Sequence, residues 1–137
     1  MEARALQTDW EQQRRAMRHE LRTQVNHILS YAELLLYDAE TAGQVEFADD
    51  LRTVQEDGRE GLATIDRILD AIPLGPNAVK SAVGQIETLM QSVRSSVWKL
   101  EGYDYAADDE QITADLERIA GSAQRLVAQV NQMVVTS

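Results

Sequence analysis

Arg18-His19-Glu20-Leu21-Arg22-Thr23-Gln24-Val25-Asn26, continuing through His27-Ile28-Leu29-Ser30-Tyr31-Ala32-Glu33-Leu34-Leu35, runs without a glycine or proline. At about 100° per residue, Met17, Leu21, Val25, Ile28, Ala32 and Leu35 fall into one apolar stripe, with His19, Thr23 and Asn26 on the opposite side. A helix here buries the stripe against other helices and turns His19 to water. The same spacing reaches back to Leu6 and Trp10 and predicts one helix from near Ala3 to about Ala42, about 55 to 60 Å long at ~1.5 Å per residue. Apolar positions thin out before His19, so the start of this helix is expected to project beyond the bundle.

Beyond it, Thr41-Ala42-Gly43-Gln44 reads as a turn, with Gly43 free to take the left-handed conformation that closes a helix. A second helix is expected from near Val45 to just before Pro73, with Phe47, Leu51, Val54, Leu62, Ile65, Ile68 and Leu69 on its apolar face. Gly58 and Gly61 on it permit close helix approach. Ile72-Pro73-Leu74-Gly75-Pro76-Asn77 is rich in proline and glycine and marks the break between two halves, too short to join anything but antiparallel neighbours. A third helix follows on Val79, Val83, Ile86, Met90, Val93, Val97 and Leu100. A fourth, capped by Asp108 or Asp109, follows on Ile112, Leu116, Ile119, Ala123, Leu126, Val130 and Met133.

The two hairpins keep the same phase. An offset of 65 positions pairs Leu21 with Ile86, Val25 with Met90, Ile28 with Val93 and Leu35 with Leu100, then Phe47 with Ile112, Leu51 with Leu116, Val54 with Ile119 and Ile65 with Val130. Holding phase through both helices and across a turn of equal length points to duplication. The expected organisation is one four-helix domain over 1–137, made of a hairpin over 1–71 and a second over 78–137. In this alignment His19 falls opposite Gly84, so the second hairpin lacks the histidine.

Composition sets the outer limits. With 23 acidic and 13 basic side chains the net charge is -10, which repels phosphate backbones and anionic lipid, so neither nucleic acid nor a membrane is an expected partner. The chain has no cysteine, which removes disulfides and thiolate metal sites and is compatible with a cytoplasmic location. No apolar run approaches the roughly 20 residues of a membrane span. Arg14, Arg15, Arg18 and Arg22 around His19 form either a solvated helix face or a receptor for an acidic partner surface.

Other chemistries fail on spacing. His19-Glu20 opens like a zinc-protease helix, but Thr23 stands where the second histidine should be, and His27 lies about 12 Å further along the axis. Neither histidine has a glutamate three residues before it, which excludes the carboxylate-bridged di-iron pattern. Phosphate loops, nucleophile elbows and cysteine nucleophiles are missing from the sequence, and no metal or cofactor is expected.

The string His19-Glu20-Leu21-Arg22-Thr23, with Asn26 three residues on, resembles the H-box of the dimerisation and histidine phosphotransfer (DHp, HisKA-like) domain of bacterial sensor histidine kinases. That pattern runs His-Glu-Leu-Arg-Thr-Pro-Leu-Asn, and seven of its positions are identical or conservatively replaced here. Gln24 departs from it, standing where the family's proline bends the helix, so this helix is expected to run straighter. The resemblance implies that His19 is the phosphoacceptor, that Glu20 orients or deprotonates it, and that Thr23 positions a hydrolytic water. Arg15, Arg18, Arg22 and Asn26 would then meet a response-regulator receiver domain.

Since the family domain is a hairpin that dimerises into a four-helix bundle, the resemblance also implies an all-α, antiparallel up-down-up-down four-helix bundle. It would be a single-chain pseudo-dimer with one histidine and a long projecting first helix. Nothing in the chain resembles the family's ATP-binding domain. Phosphate is therefore expected from the partner, or from an ATP-binding kinase domain in cis or trans, and self-phosphorylation by this chain alone is not expected. The competing reading is a non-catalytic bundle that transmits signals or binds partners on the same scaffold.

Overall fold

The computed structural model describes the backbone of residues 2–136 and side-chain environments from 9 to 133; the expected place of Leu6 on the apolar stripe lies outside the described residues. Among the described residues there are five α-helices: α1 (Glu2–Thr41), α2 (Val45–Ala71), α3 (Pro76–Glu101), the short α4 (Asp104–Ala107) and α5 (Glu110–Thr136). A single 3-10 turn, Ile72–Leu74, lies between α2 and α3. Among the described residues there is no strand, and no helix is long and apolar enough to cross a membrane.

Local chemistry fixes the ends of the helices. After α1, Gly43 takes φ 72° and the Gln44 N–H reaches back to the Ala39 carbonyl at 2.9 Å while the Gly43 N–H bonds that of Glu40 at 3.1 Å. This Schellman closure satisfies carbonyls the helix end would otherwise leave open. Gly75, at φ 112°, turns the chain into α3, whose first residue is Pro76, a position where the missing N–H costs nothing. At the start of α5, Asp109 Oδ1 accepts from the N–H groups of Gln111 (3.0 Å) and Ile112 (3.1 Å), so of the two expected caps it is Asp109 that serves.

The long helices form a bundle in which α1 lies against α2 and α5, and α3 against the same two. The diagonal pairs α1/α3 and α2/α5 come no closer than 8 Å between Cα atoms among the described residues. Leu21, Val25, Ile28, Ala32 and Leu35 of α1 are buried and Met17 is half-buried, as their spacing predicts. Phe47, Leu51, Val54, Ile65, Ile68 and Leu69 of α2 meet them, as do Ile86, Met90, Val93 and Leu100 of α3 and Leu116, Ile119, Leu126 and Val130 of α5. Leu62 is only half-buried, at the edge of this core.

Gly58 and Gly61 lie against neighbouring helices with little room for a side chain. A Cβ at Gly58 would stand 2.7 Å from Leu29 Cδ2, and one at Gly61 would touch Met90, Ile86 and Val25. Cross-links between α1 and α2 pair Arg14 with Asp70 and Arg18 with Asp66, at 2.5 and 2.9 Å, while Arg52 near the turn reaches Glu40 at 3.0 Å. These pairs are solvent-facing and contribute little individually, but they define the register. It sets Ala71 opposite about residue 13, which leaves roughly the first three turns of α1 beyond the end of α2.

α4 has no counterpart in the sequence reading, which left 101–107 without an element. The chain breaks helix at Gly102, and Tyr103 and Tyr105 fold back so that both rings pack in T-shaped pairs with Phe47, at centroid distances of 5.4 and 5.0 Å. Tyr103 donates its hydroxyl to Asp50, which also accepts from Lys99 at 3.2 Å. That hydrogen bond, burial and the charges of Asp50, Glu46 and Asp49 push the Tyr103 phenol up to about 12. Burial, followed by Asp38 and Asp109, raises Tyr105.

Candidate functional site

His19 sits exposed on α1, two residues before the first fully engaged core position, Leu21. Thr23, one turn on, donates its hydroxyl to the His19 carbonyl at 2.8 Å. With its proton given to the backbone, Oγ1 keeps only acceptor capacity toward solvent, which suits it to accept a hydrogen bond from a water rather than to donate one. Asn26 is exposed on the same outward side, one turn further along.

The flanks of His19 differ. Toward α5, Glu20 is exposed and helps to line an open groove of about 310 Å³ with Met17, Leu21, Gln129, Gln132 and Met133. Toward α2, Arg14 and Arg18 are held by Asp70 and Asp66. Arg18 is thus already engaged within the chain. Arg15, exposed, and Arg22, half-buried, make no ion pair or side-chain hydrogen bond with described residues. His27 is exposed. Among the described residues no cluster of histidine, aspartate and glutamate could hold a metal ion.

Gln24 is buried, 9% exposed, and faces α5, where its Oε1 accepts from Arg125 Nε at 3.4 Å. Arg125 also donates to Ser122 at 3.2 Å, and Ser122 is itself buried. A position read in the sequence as a departure in helix-forming tendency is thus part of the α1/α5 interface. Nothing within the local string could signal this, because its partner lies 101 residues away. The groove residues Gln129 and Gln132 also went unsingled by the sequence, since on α5 they look like ordinary edge positions, and Met133 stands out only as the end of that helix's apolar stripe.

A second groove, of about 440 Å³, lies between α2 and α3 and is lined by Glu60, Thr64, Arg67, Ser81, Gly84, Gln85, Thr88 and Leu89. Gly84 stands 65 positions after His19, which itself does not line the first groove, and Thr88 donates to the Gly84 carbonyl at 3.0 Å as Thr23 does to that of His19. A Cβ added at Gly84 would meet nothing within 4 Å. Comparison with protein-family models, with curated proteins and with solved structures finds no match.

Proposed function

We propose that this chain is a two-component-type signalling domain that accepts, relays or helps to hydrolyse phosphate through His19, with a receiver domain as its partner and the cytoplasm as its compartment. One observation carries the reading: an exposed histidine beside Glu20 whose carbonyl is bonded by Thr23 one turn on, within a string resembling the DHp H-box. Chemically, a neutral ring nitrogen of His19 attacks the phosphorus of an aspartyl phosphate. The N–P bond forms as the P–O bond to the receiver breaks, and the proton on the other ring nitrogen leaves to Glu20 or solvent. For hydrolysis, Thr23 Oγ1 accepts a hydrogen bond from the attacking water and so aims its lone pair at phosphorus; the P–O bond to the receiver aspartate breaks as the new one forms, and the water's proton leaves to solvent.

The same reading takes the bundle as an antiparallel, up-down-up-down pseudo-dimer made from one chain. Support comes from α2 and α5, which are 27 residues each and begin 65 positions apart, at Val45 and Glu110. Buried positions also pair at that offset, Gly58 with Ala123 and Gly61 with Leu126 among them. With Gly84 in place of a second histidine, the pseudo-dimer carries one acceptor. A non-catalytic bundle is the alternative, favoured by the engagement of Gln24 with Arg125 in the interface. Mixing the chain with a phosphorylated receiver decides between them. Accelerated loss of receiver phosphate, weakened by Thr23→Ala and abolished or rerouted by His19→Ala, supports the signalling reading, and no effect on any receiver from the same genome supports the alternative.

A further inference from the structure

We propose that Arg15 and Arg22 form the seat for the phosphoryl group on His19, an inference that rests on the reading of His19 as phosphoacceptor. Four arginines surround this histidine, and the structure sorts them into two pairs. Arg14 and Arg18 each give one guanidinium nitrogen to Asp70 and Asp66 of α2, Arg18 through Nε, which draws both heads toward α2. Arg15 and Arg22 have no such partner among the described residues. They stand four before and three after His19, the spacings that bring side chains on a helix to within about 5–6 Å at Cβ.

Both also lie on the α2 side of the histidine, whereas Glu20 lies on the α5 side. An anion on His19 therefore has a cation one turn above and one turn below on the same flank. Without that anion, Arg15 and Arg22 stand one turn from Arg18, a like-charge arrangement that disfavours the helix. Asp66 offsets part of this through Arg18. A phosphoryl group, carrying about -1.5 to -2 charges near neutrality, would offset the rest.

Other charges near the site come from α1, α2 and α5, and on α2 exposed Arg59 shares the face of Asp66, two turns before it. Glu20 opposes the anion from α1, Asp66 and Asp70 of α2 are bound to arginines, and on α5 Arg125 is bonded to Gln24 and Ser122. The seat is thus set by Arg15 and Arg22, with Glu20 limiting its strength. Arginine suits this task because its fork of N–H donors matches phosphate oxygens.

Potassium phosphoramidate tests the seat without any receiver. In a His27→Gln background the ring nitrogen of His19 displaces ammonia from phosphorus: the new N–P bond forms, the old P–N bond breaks, and the ring proton leaves with the ammonia. Phosphorus NMR then follows the last ionisation of the phosphohistidine. Arg15→Gln and Arg22→Gln should each raise its midpoint by roughly half a pH unit, the effect of one charge at about 6 Å in water. High salt should shrink both effects, and Arg18→Gln should move the midpoint much less. Equal effects from all three variants, no effect from any, or no phosphohistidine at position 19 would overturn the seat. Unmoved midpoints together with intact receiver exchange would remove the seat alone. Shifted midpoints with no receiver exchange would uphold the seat and count against the signalling reading.

Discussion

Replacing Gln24 with proline introduces the residue that the H-box pattern has at this place, and the structure makes its cost calculable. The substitution deletes the N–H that bonds the carbonyl one turn back and drives the ring against that turn, worth about 3 kcal/mol in a helix interior. It also removes the Oε1 acceptor of Arg125. That loss adds about 0.5 to 1 kcal/mol, kept small because Arg125 is solvent-accessible and retains Ser122. The sum, about 3.5 kcal/mol, corresponds to a fall of about 12 °C in Tm for a chain of this size. Gln24→Leu isolates the side-chain part, since leucine keeps the helix and removes only the amide, and should cost no more than about 1 kcal/mol. Urea unfolding followed by circular dichroism at 222 nm measures both. A neutral or stabilising Gln24→Pro would show that α1 already bends at this point, and would refute a straight helix pinned to α5 through Gln24.

Gly84→Ala should stabilise by up to about 1 kcal/mol, because the added methyl meets open space and removes a glycine from a helix interior; Gly58→Ala should gain nothing or lose stability against Leu29. Asp109→Ala should cost about 1 kcal/mol in thermal unfolding by leaving two amides of α5 uncapped. Tyr103 should ionise near pH 12 rather than 10 in an ultraviolet titration, and Asp50→Asn should bring it down. Because its folded pKa is raised, its contribution to stability is fully present below about pH 10 and is lost as pH rises toward 12.

What the sequence made legible was whatever depends on short range. Helix phase follows from Leu21, Val25, Ile28, Ala32 and Leu35, and helix ends follow from Gly43, Gly75 with Pro76, and Asp109. Each is a local rule about sterics or an open hydrogen bond. The exposure of His19 and Asn26 followed for the same reason: they lie opposite the stripe. What escaped was set by partners distant in the chain. The short helix α4 exists because Tyr103 and Tyr105 dock on Phe47, more than 50 residues before them. Arg14 and Arg18 looked equivalent to Arg15 and Arg22 until Asp70 and Asp66 came alongside. Helical spacing states which residues share a face, and only packing states which of them is already occupied.

The central claim, one phosphoacceptor in a single-chain pseudo-dimer, is tested most directly by counting acid-labile phosphate per chain. The chain would be incubated with a phosphorylated receiver from the same genome and measured by intact mass under alkaline conditions. The account predicts at most one phosphate on a chain whose bundle stays monomeric on dilution, none in His19→Ala, and a second phosphate when Gly84→His rebuilds the related site. Label on His27, label that survives His19→Ala, or helicity that collapses on dilution because the fold needs two chains would contradict it.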